Sequence, residues 1–184
     1  MSEVREWQEV ERELVLDARI FSVERSRARS PWDGTEHDFY RIVCAEWAQV
    51  VPVTADGRVV MVRQYRHGAQ RITLEIPGGL VDAGETAAET AVRECFEETG
   101  FEAQGVRFLG AVNPNPALFG NRLHAFVAEN VVRAGEIQNS GSEHTSVELV
   151  PVAEVERLLV EGKIEHALVA GTLWRFLHER GKAP

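Results

Sequence analysis

Two short signals fix a helix between Thr86 and Gly100, and the residues carried on that helix limit what the chain can be. Thr86 and Glu89 stand at the spacing of a capping box, Ala87, Ala88 and Ala91 favour helix, and Gly100 is placed to end it in the left-handed conformation. Residues three and four apart share a helix face, so Glu94, Glu97 and Glu98 point the same way while Cys95 and Phe96 turn elsewhere. Like charges at that spacing destabilise one another by roughly 0.2–0.5 kcal/mol per pair, and the C-terminal end of a helix disfavours anions further. Arg93 reaches Glu97 at i+4, but one guanidinium does not neutralise three carboxylates, so a further cation is expected. A cluster of hard oxygen ligands suits Mg²⁺ or Mn²⁺. Glutamate-rich stretches are ordinarily solvated helix faces. The glycines ahead of this one argue otherwise: Gly78-Gly79 and Gly84 let the preceding loop approach a ligand closely and present amides and carbonyls to it.

The rest of the chain supplies a scaffold for that unit. Ile20, Phe21 and Val23 alternate with charged residues between Arg19 and Arg29, and Phe39 to Val43 alternates again after the turn at Ser30-Pro31-Trp32-Asp33-Gly34, which predicts an N-terminal antiparallel hairpin. Val50 to Thr54 and Arg58 to Tyr65 flank Asp56-Gly57, the dipeptide of a tight hairpin. Strand patterns follow at Val106 to Val112, Leu123 to Ala128 and Val147 to Val150, then helical ones at Val152 to Leu159 and Glu165 to Arg180, with Trp174 and Phe176 expected to pack on the sheet. The order predicts an α+β fold, a mixed β-sheet with helices on its faces. Residues 1–45 read as an N-terminal β extension and 46–184 as the main domain.

A length of 184 residues, with 44% hydrophobic and 27% charged residues, is that of a globular chain able to bury one core without disulfides. Cys44 and Cys95 have no metal-ligand spacing and read as reduced core thiols. No apolar run approaches the roughly 20 residues of a spanning helix, and the charged start of the chain lacks a secretory pattern, so a cytoplasmic location without membrane attachment is expected. A net charge of −9 argues against broad binding to nucleic acid, which needs a basic face to displace counterions. An anionic substrate then needs a divalent cation and a few well-placed arginines.

Gly79, Glu85, Arg93, Glu94, Glu97, Glu98 and Gly100 fit the pattern G-x5-E-x7-R-E-U-x-E-E-x-G-U at every fixed position, with Cys95 and Phe101 in its apolar positions. By this match, from Gly79 to Phe101, the chain resembles the Nudix hydrolases, and the surrounding strand pattern is similar to the Nudix fold. The resemblance implies that Glu94, Glu97 and Glu98 ligate metal and activate water, that Glu85 assists, and that Arg93 orients the glutamates. It places the Gly79 carbonyl as a further metal ligand. The implied reaction is attack of water on one phosphorus of a P–O–P link, giving two phosphate monoesters.

The flanks bear on the substrate. Arg63, Arg66 and Glu75-Ile76-Pro77 resemble the strand and entry segment of the ADP-ribose pyrophosphatase branch, where arginines at a strand end clamp phosphates. Pro116, sixteen positions beyond Gly100, resembles that branch too, whereas Asn113-Pro114-Asn115-Pro116-Ala117 as a whole is similar to relatives acting on nucleoside diphosphate sugars. Dinucleoside polyphosphates, coenzyme A, oxidised nucleotides and a non-catalytic regulator that binds a nucleotide sugar remain alternatives. Glu143, in Ser140-Gly141-Ser142-Glu143-His144, aligns with the branch's mobile catalytic glutamate, and His144 is able to share a proton-transfer role. The resemblance also implies aromatic contacts to a base from the N-terminal strands, with Trp32 and Trp47 the candidates. A homodimer is expected, in which the N-terminal hairpin of one subunit completes the other's site.

Overall fold

The computed structural model describes residues 3–139 and 144–182. Its contacts divide the chain into two compact units, one of Met1–Ala45 with Asn113–Arg122, the other of Glu46–Val112 with Leu123–Pro184. In the first, β1 (Gln8–Asp17), β2 (Ser22–Arg29) and β3 (Glu36–Val43) form an antiparallel sheet in the order β1-β2-β3. The expected hairpin is β2–β3; β1 is an addition the pattern did not predict. Its apolar residues Val10, Leu14, Val15 and Leu16 do not alternate, because register shifts fall between Glu9 and Glu11 and between Leu14 and Leu16. Cross-strand ion pairs such as Arg25–Glu13 at 2.5 Å and Arg41–Glu24 join its strands. The Asn113–Arg122 segment docks on this unit through Ile42 N–H to the Leu118 carbonyl (2.7 Å) and Asn121 Nδ2 to the Ala45 carbonyl (2.9 Å).

The second unit is built on a mixed sheet of β4 (Trp47–Thr54), β5 (Arg58–Arg66), β6 (Arg71–Glu75), β7 (Gly78–Leu80), β8 (Phe101–Glu102), β9 (Arg107–Val112), β10 (Leu123–Arg133) and β11 (Thr145–Pro151). β10 runs parallel to β4, with Leu123 opposite Trp47; the other pairings are antiparallel. Gly57, at φ +78, closes the β4–β5 hairpin as Asp-Gly predicts, yet β4 and β5 pair through Val53 and Val59 alone before parting. Into that fork comes β7, Gly78–Leu80 pairing with Gln49–Trp47. The N–H of Val50 reaches the Pro77 carbonyl at 3.0 Å, and two residues on, where the next N–H would point to the same edge, stands Pro52, which has none. The strands thus part where β4 has no donor to offer, and the glycine loop takes the place of β5.

Each face of this sheet carries a core. α1 (Ala87–Thr99) packs Ala91 and Cys95 against Ala48, Val50, Val60 and Phe126; α2 (Val152–Val160) and α3 (Ala167–Arg180) pack Val155, Leu159, Leu173 and Phe176 against Val51, Val53, Met61 and Val127. Successive residues of β4 alternate between the two cores, which is why Val50, Val51 and Val53 read as a continuous apolar run. The expected α+β plan holds. Phe176 is buried as expected, but Trp174 is 43% exposed: the inward stripe of α3 is Val169, Thr172, Leu173 and Phe176, and Trp174 falls off it. Among the described residues no helix is long and apolar enough to cross a membrane. Phe176→Ala is expected to lower unfolding free energy by about 3–5 kcal/mol, the range for emptying a buried aromatic site, and Trp174→Ala by about 0.5 kcal/mol or less; urea denaturation of both variants measures the contrast.

Candidate active site

α1 begins and ends as its sequence dictates. Thr86 accepts from the Glu89 N–H at 3.3 Å while the Glu89 carboxylate accepts from the Thr86 N–H at 2.8 Å, and Gly100, at φ +71, donates to the Phe96 carbonyl. The last carbonyls of the helix are taken up from outside it, which no sequence signal had indicated. Gln138 N–H donates to the Glu97 carbonyl at 2.7 Å, the Thr145 hydroxyl to the Glu98 carbonyl at 2.9 Å, and Asn139 Oδ1 accepts from the Thr145 N–H at 2.8 Å. These contacts hold the two residue runs that flank the segment containing Glu143 against the end of α1. Glu143 itself lies outside the described residues; His144 is exposed.

At the centre of the site stands Arg93. Its Nε and Nη2 donate to the two oxygens of Glu85 at 2.9 and 3.0 Å, its Nη1 to Glu94 at 2.8 Å and Glu97 at 3.0 Å, and its Nη2 also to the Leu80 carbonyl at 3.4 Å. One guanidinium still does not balance three carboxylates in charge. Arg93 reaches three of them, by taking Glu85 in place of Glu98. The Arg93 fork, with the Thr90 hydroxyl, holds the Glu85 carboxyl down to about 2, and the same bonds raise the pKa of Arg93 above its usual value. Glu98 accepts instead from the Gly78 N–H at 3.0 Å. A Cβ at Gly79 would lie 2.1 Å from Glu94 Oε1, so the absence of a side chain lets the carboxylate lie against the strand. Cys95 is fully buried and burial pushes its thiol up to about 12, which makes it core filler, as its place in the apolar pattern implied.

The donors gathered here suit a hard divalent cation. Glu85, Glu94, Glu97 and Glu98 are all partly exposed and offer only oxygen, and the Gly79 backbone lies against Glu94. Among the described residues no three His, Cys, Asp or Glu converge into a ready cage. Mg²⁺ does not need one, since it keeps several waters and is usually held by one or two carboxylates together with phosphate oxygens.

The flanking residues are placed unevenly. Glu75 is 1% exposed and accepts from Arg66 Nε and Nη2 at 2.8 and 2.7 Å and from the Thr73 hydroxyl at 2.6 Å, so it positions Arg66 and does not itself face solvent. Arg63 Nε donates to Glu148 at 2.5 Å on the neighbouring strand. Trp47 begins β4 opposite Leu80. Trp32 and Pro116 belong to the other unit. There Trp32 is 53% exposed, with the Trp7 ring edge-on to it at 6.0 Å, and Pro116 is exposed in its loop. Sequence reasoning missed His124, whose Nε2 lies 2.6 Å from Glu46 Oε2, while the Glu46 carbonyl accepts from the Val81 N–H at 2.9 Å. A single histidine within a strand carries no spacing signal that would have singled it out.

Comparison with known proteins agrees with this geometry. The model of the NUDIX domain matches residues 45–169, more than half of the chain. The chain belongs to the Nudix family. It is 28% identical over 176 residues to an ADP-ribose pyrophosphatase of Mycobacterium tuberculosis, covering 91% of this chain and 82% of that protein. To an ADP-ribose pyrophosphatase of Bacillus subtilis it is 37% identical over 82 residues, 45% of this chain and 44% of that one, so this match spans less than half of the relative's length. A solved structure of an ADP compounds hydrolase superposes with a TM-score of 0.84 over 100% of both chains at 23% identity, which establishes the Nudix fold. Nudix hydrolases generally use a divalent metal.

Glu75 gives this unit a pH dependence whose sign follows from its surroundings. Burial alone would raise its pKa, but the Arg66 fork, the charge of Arg66 and the Thr73 hydroxyl together hold it below the usual 4.5. A depressed carboxylate contributes stability above its unfolded pKa and loses it as pH falls through the folded value. Below about pH 4.5 the wild type is therefore expected to lose stability more steeply than Glu75→Gln, and above it to be the more stable of the two. Urea midpoints of both across that range test this; parallel curves would show that Glu75 contributes no such linkage.

Proposed function

We propose that the chain hydrolyses the pyrophosphate of ADP-ribose or a nucleoside diphosphate sugar, releasing a nucleoside monophosphate and a sugar phosphate, with Mg²⁺ required and Mn²⁺ able to replace it. One observation carries the proposal: every fixed position of the Nudix box is present, with Arg93 holding Glu85, Glu94 and Glu97 beside Gly79. The names of the Mycobacterium and Bacillus relatives support ADP-ribose as the first substrate to try.

Glu94, Glu97 and Glu98, with Glu85 and the Gly79 carbonyl, are assigned to hold the divalent cation. When bound, that cation supplies charge neutralisation for the phosphates and lowers the pKa of water. The protein's part is positional. Arg93 fixes the directions of three carboxylates, the Gly78 amide fixes Glu98, and the glutamates so held orient the attacking water. Glu143 is assigned as general base on its sequence position. Arg66, oriented by Glu75, and Arg63 are assigned to the phosphates. Trp47, Trp32 and Pro116 are proposed as further substrate contacts, the last two on sequence grounds alone. A homodimer is proposed from the exposed Leu14, Leu16, Phe39 and Tyr40 of the three-stranded sheet, and a cytoplasmic location from Cys95, which stands as a buried thiol.

The test is a Mg²⁺-supplemented screen of ADP-ribose, UDP-, GDP- and ADP-sugars, dinucleoside polyphosphates and coenzyme A, scored for release of nucleoside monophosphate and repeated in EDTA. ADP-ribose or a nucleotide sugar is expected to turn over with metal and not without it. Ligand retention without turnover would favour the regulatory alternative. Glu97→Gln and Glu98→Gln are each expected to lower kcat by about a hundredfold or more with the fold intact, since each removes a metal-ligating or water-activating carboxylate without altering volume. Unchanged rates at saturating Mg²⁺ would remove these two residues from the reaction.

A further inference from the structure

In a chain of net charge −9, most arginines stand within 4.0 Å of a carboxylate, as Arg66, Arg93 and Arg157 do. Arg175 on α3 does not. Its hydrogen bond runs from Nη1 to the Leu109 carbonyl at 3.1 Å, and no carboxylate pairs with it among the described residues. The strand beneath is shaped to receive it: Gly110 adopts φ +145, and a Cβ there would lie 1.5 Å from Arg175 Nη1. Any side chain at 110 would expel the guanidinium. With Nη1 tied to Leu109, the remaining N–H groups of a rigid planar donor are left for a partner from outside.

Beside this guanidinium a cleft of about 100 Å³ lies between α3 and strands β9 and β10, with Arg175, Thr172, Gly171, Ala167 and Leu168 on its helical side and no acidic residue in its lining. Thr172 is 5% exposed; its hydroxyl oxygen accepts from Gln49 Nε2, and its own proton has no acceptor among the described residues. Ala167 and Leu168 open α3, whose N-cap His166 makes no side-chain hydrogen bond to the helix and whose first turn carries no acidic residue. The positive end of the helix dipole is thus uncompensated on the side where the guanidinium and the hydroxyl stand. The Arg175 fork and the buried Thr172 hydroxyl proton, beside a first helical turn without an acidic residue, supply donors for an oxyanion. The space holds several waters and so admits a compact anion.

We propose that the cleft between α3 and strands β9 and β10 is a binding site for a compact oxyanion, inorganic phosphate or the phosphate end of a phosphomonoester. It lies on the face of the sheet away from α1, and the proposal does not rest on the hydrolysis proposed above.

The experiment is an NMR titration of the full ¹⁵N-labelled chain, at constant ionic strength, with inorganic phosphate in one arm and ribose 5-phosphate in the other. Saturable shifts are expected at the Gly110, Leu168 and Gly171 amides and at Arg175 Nε–H. Tighter binding of ribose 5-phosphate would mark a phosphomonoester as the ligand, and equal or weaker binding would mark free phosphate. Arg175→Gln should weaken binding by about tenfold or more, the worth of a charge-assisted hydrogen bond, whereas Glu98→Gln should leave it unchanged. Thr172→Val, which keeps the shape of the buried site, should weaken it in the same direction and serves if Arg175→Gln does not fold. The proposal is overturned if the shifts do not saturate, are confined to the glycine loop before α1, or are the same in the wild type and both α3 variants.

Discussion

The box is held together by Arg93. Its guanidinium joins Glu85, which precedes the helix, to Glu94 and Glu97 on the helix, so one planar group sets the distance between the two halves of the unit. Without it, Glu94 and Glu97 would face each other at i+3 near a helix end that disfavours anions. A lysine would bring one compact charge with three donors to a place where Arg93 makes five hydrogen bonds in several directions, and so would not replace it.

That contact depends in turn on where the main sheet divides. Because β4 parts from β5 beyond Val53, the Gly78–Leu80 strand pairs with the start of β4, and Leu80 presents its carbonyl to Arg93. Gly79 leaves room for the Glu94 carboxylate and the Gly78 amide takes Glu98, so the helix sits on the strand through two of its own acidic side chains. At the far end, Gln138 and Thr145 take the carbonyls of Glu97 and Glu98. The helix segment bearing the glutamates is therefore fixed from both sides, by its side chains toward β7 and by its backbone carbonyls toward Gln138 and the start of β11.

How much of this is legible in the sequence depends on the range of the interaction. The capping box, the left-handed stop at Gly100 and the Asp-Gly hairpin are local, each decided within a few residues, and each is found where the sequence predicts it. The partners of Arg63 and Arg66 are not local. Two arginines near the end of a strand read as phosphate donors, but that β6 sets Glu75 beside Arg66 and β11 sets Glu148 beside Arg63 shows only once the strands are paired. β1 escaped notice because its bulges break the alternation by which an amphipathic strand is recognised. Trp174 was misjudged for a related reason: hydrophobicity does not assign a residue to the inward stripe of a helix, and phase does.

Charge balance separates the part of the site the protein completes by itself from the part it leaves to a cation. Three of the four carboxylates meet one guanidinium, and the Gly78 amide that serves the fourth, Glu98, donates a hydrogen bond but no charge. The glutamates so placed keep an excess of negative charge at a partly exposed surface. Such a surface repels a free pyrophosphate, and in a chain of net charge −9 the field of the rest of the molecule adds to the repulsion. A divalent ion shared between carboxylate and phosphate oxygens reverses both effects at once, which is the physical reason to couple substrate binding to metal at this face. The cleft beside α3 has the opposite balance: no carboxylate lines it, and among the described residues none pairs with Arg175. One sheet thus carries a face that needs a cation before it can receive phosphate and a face that does not.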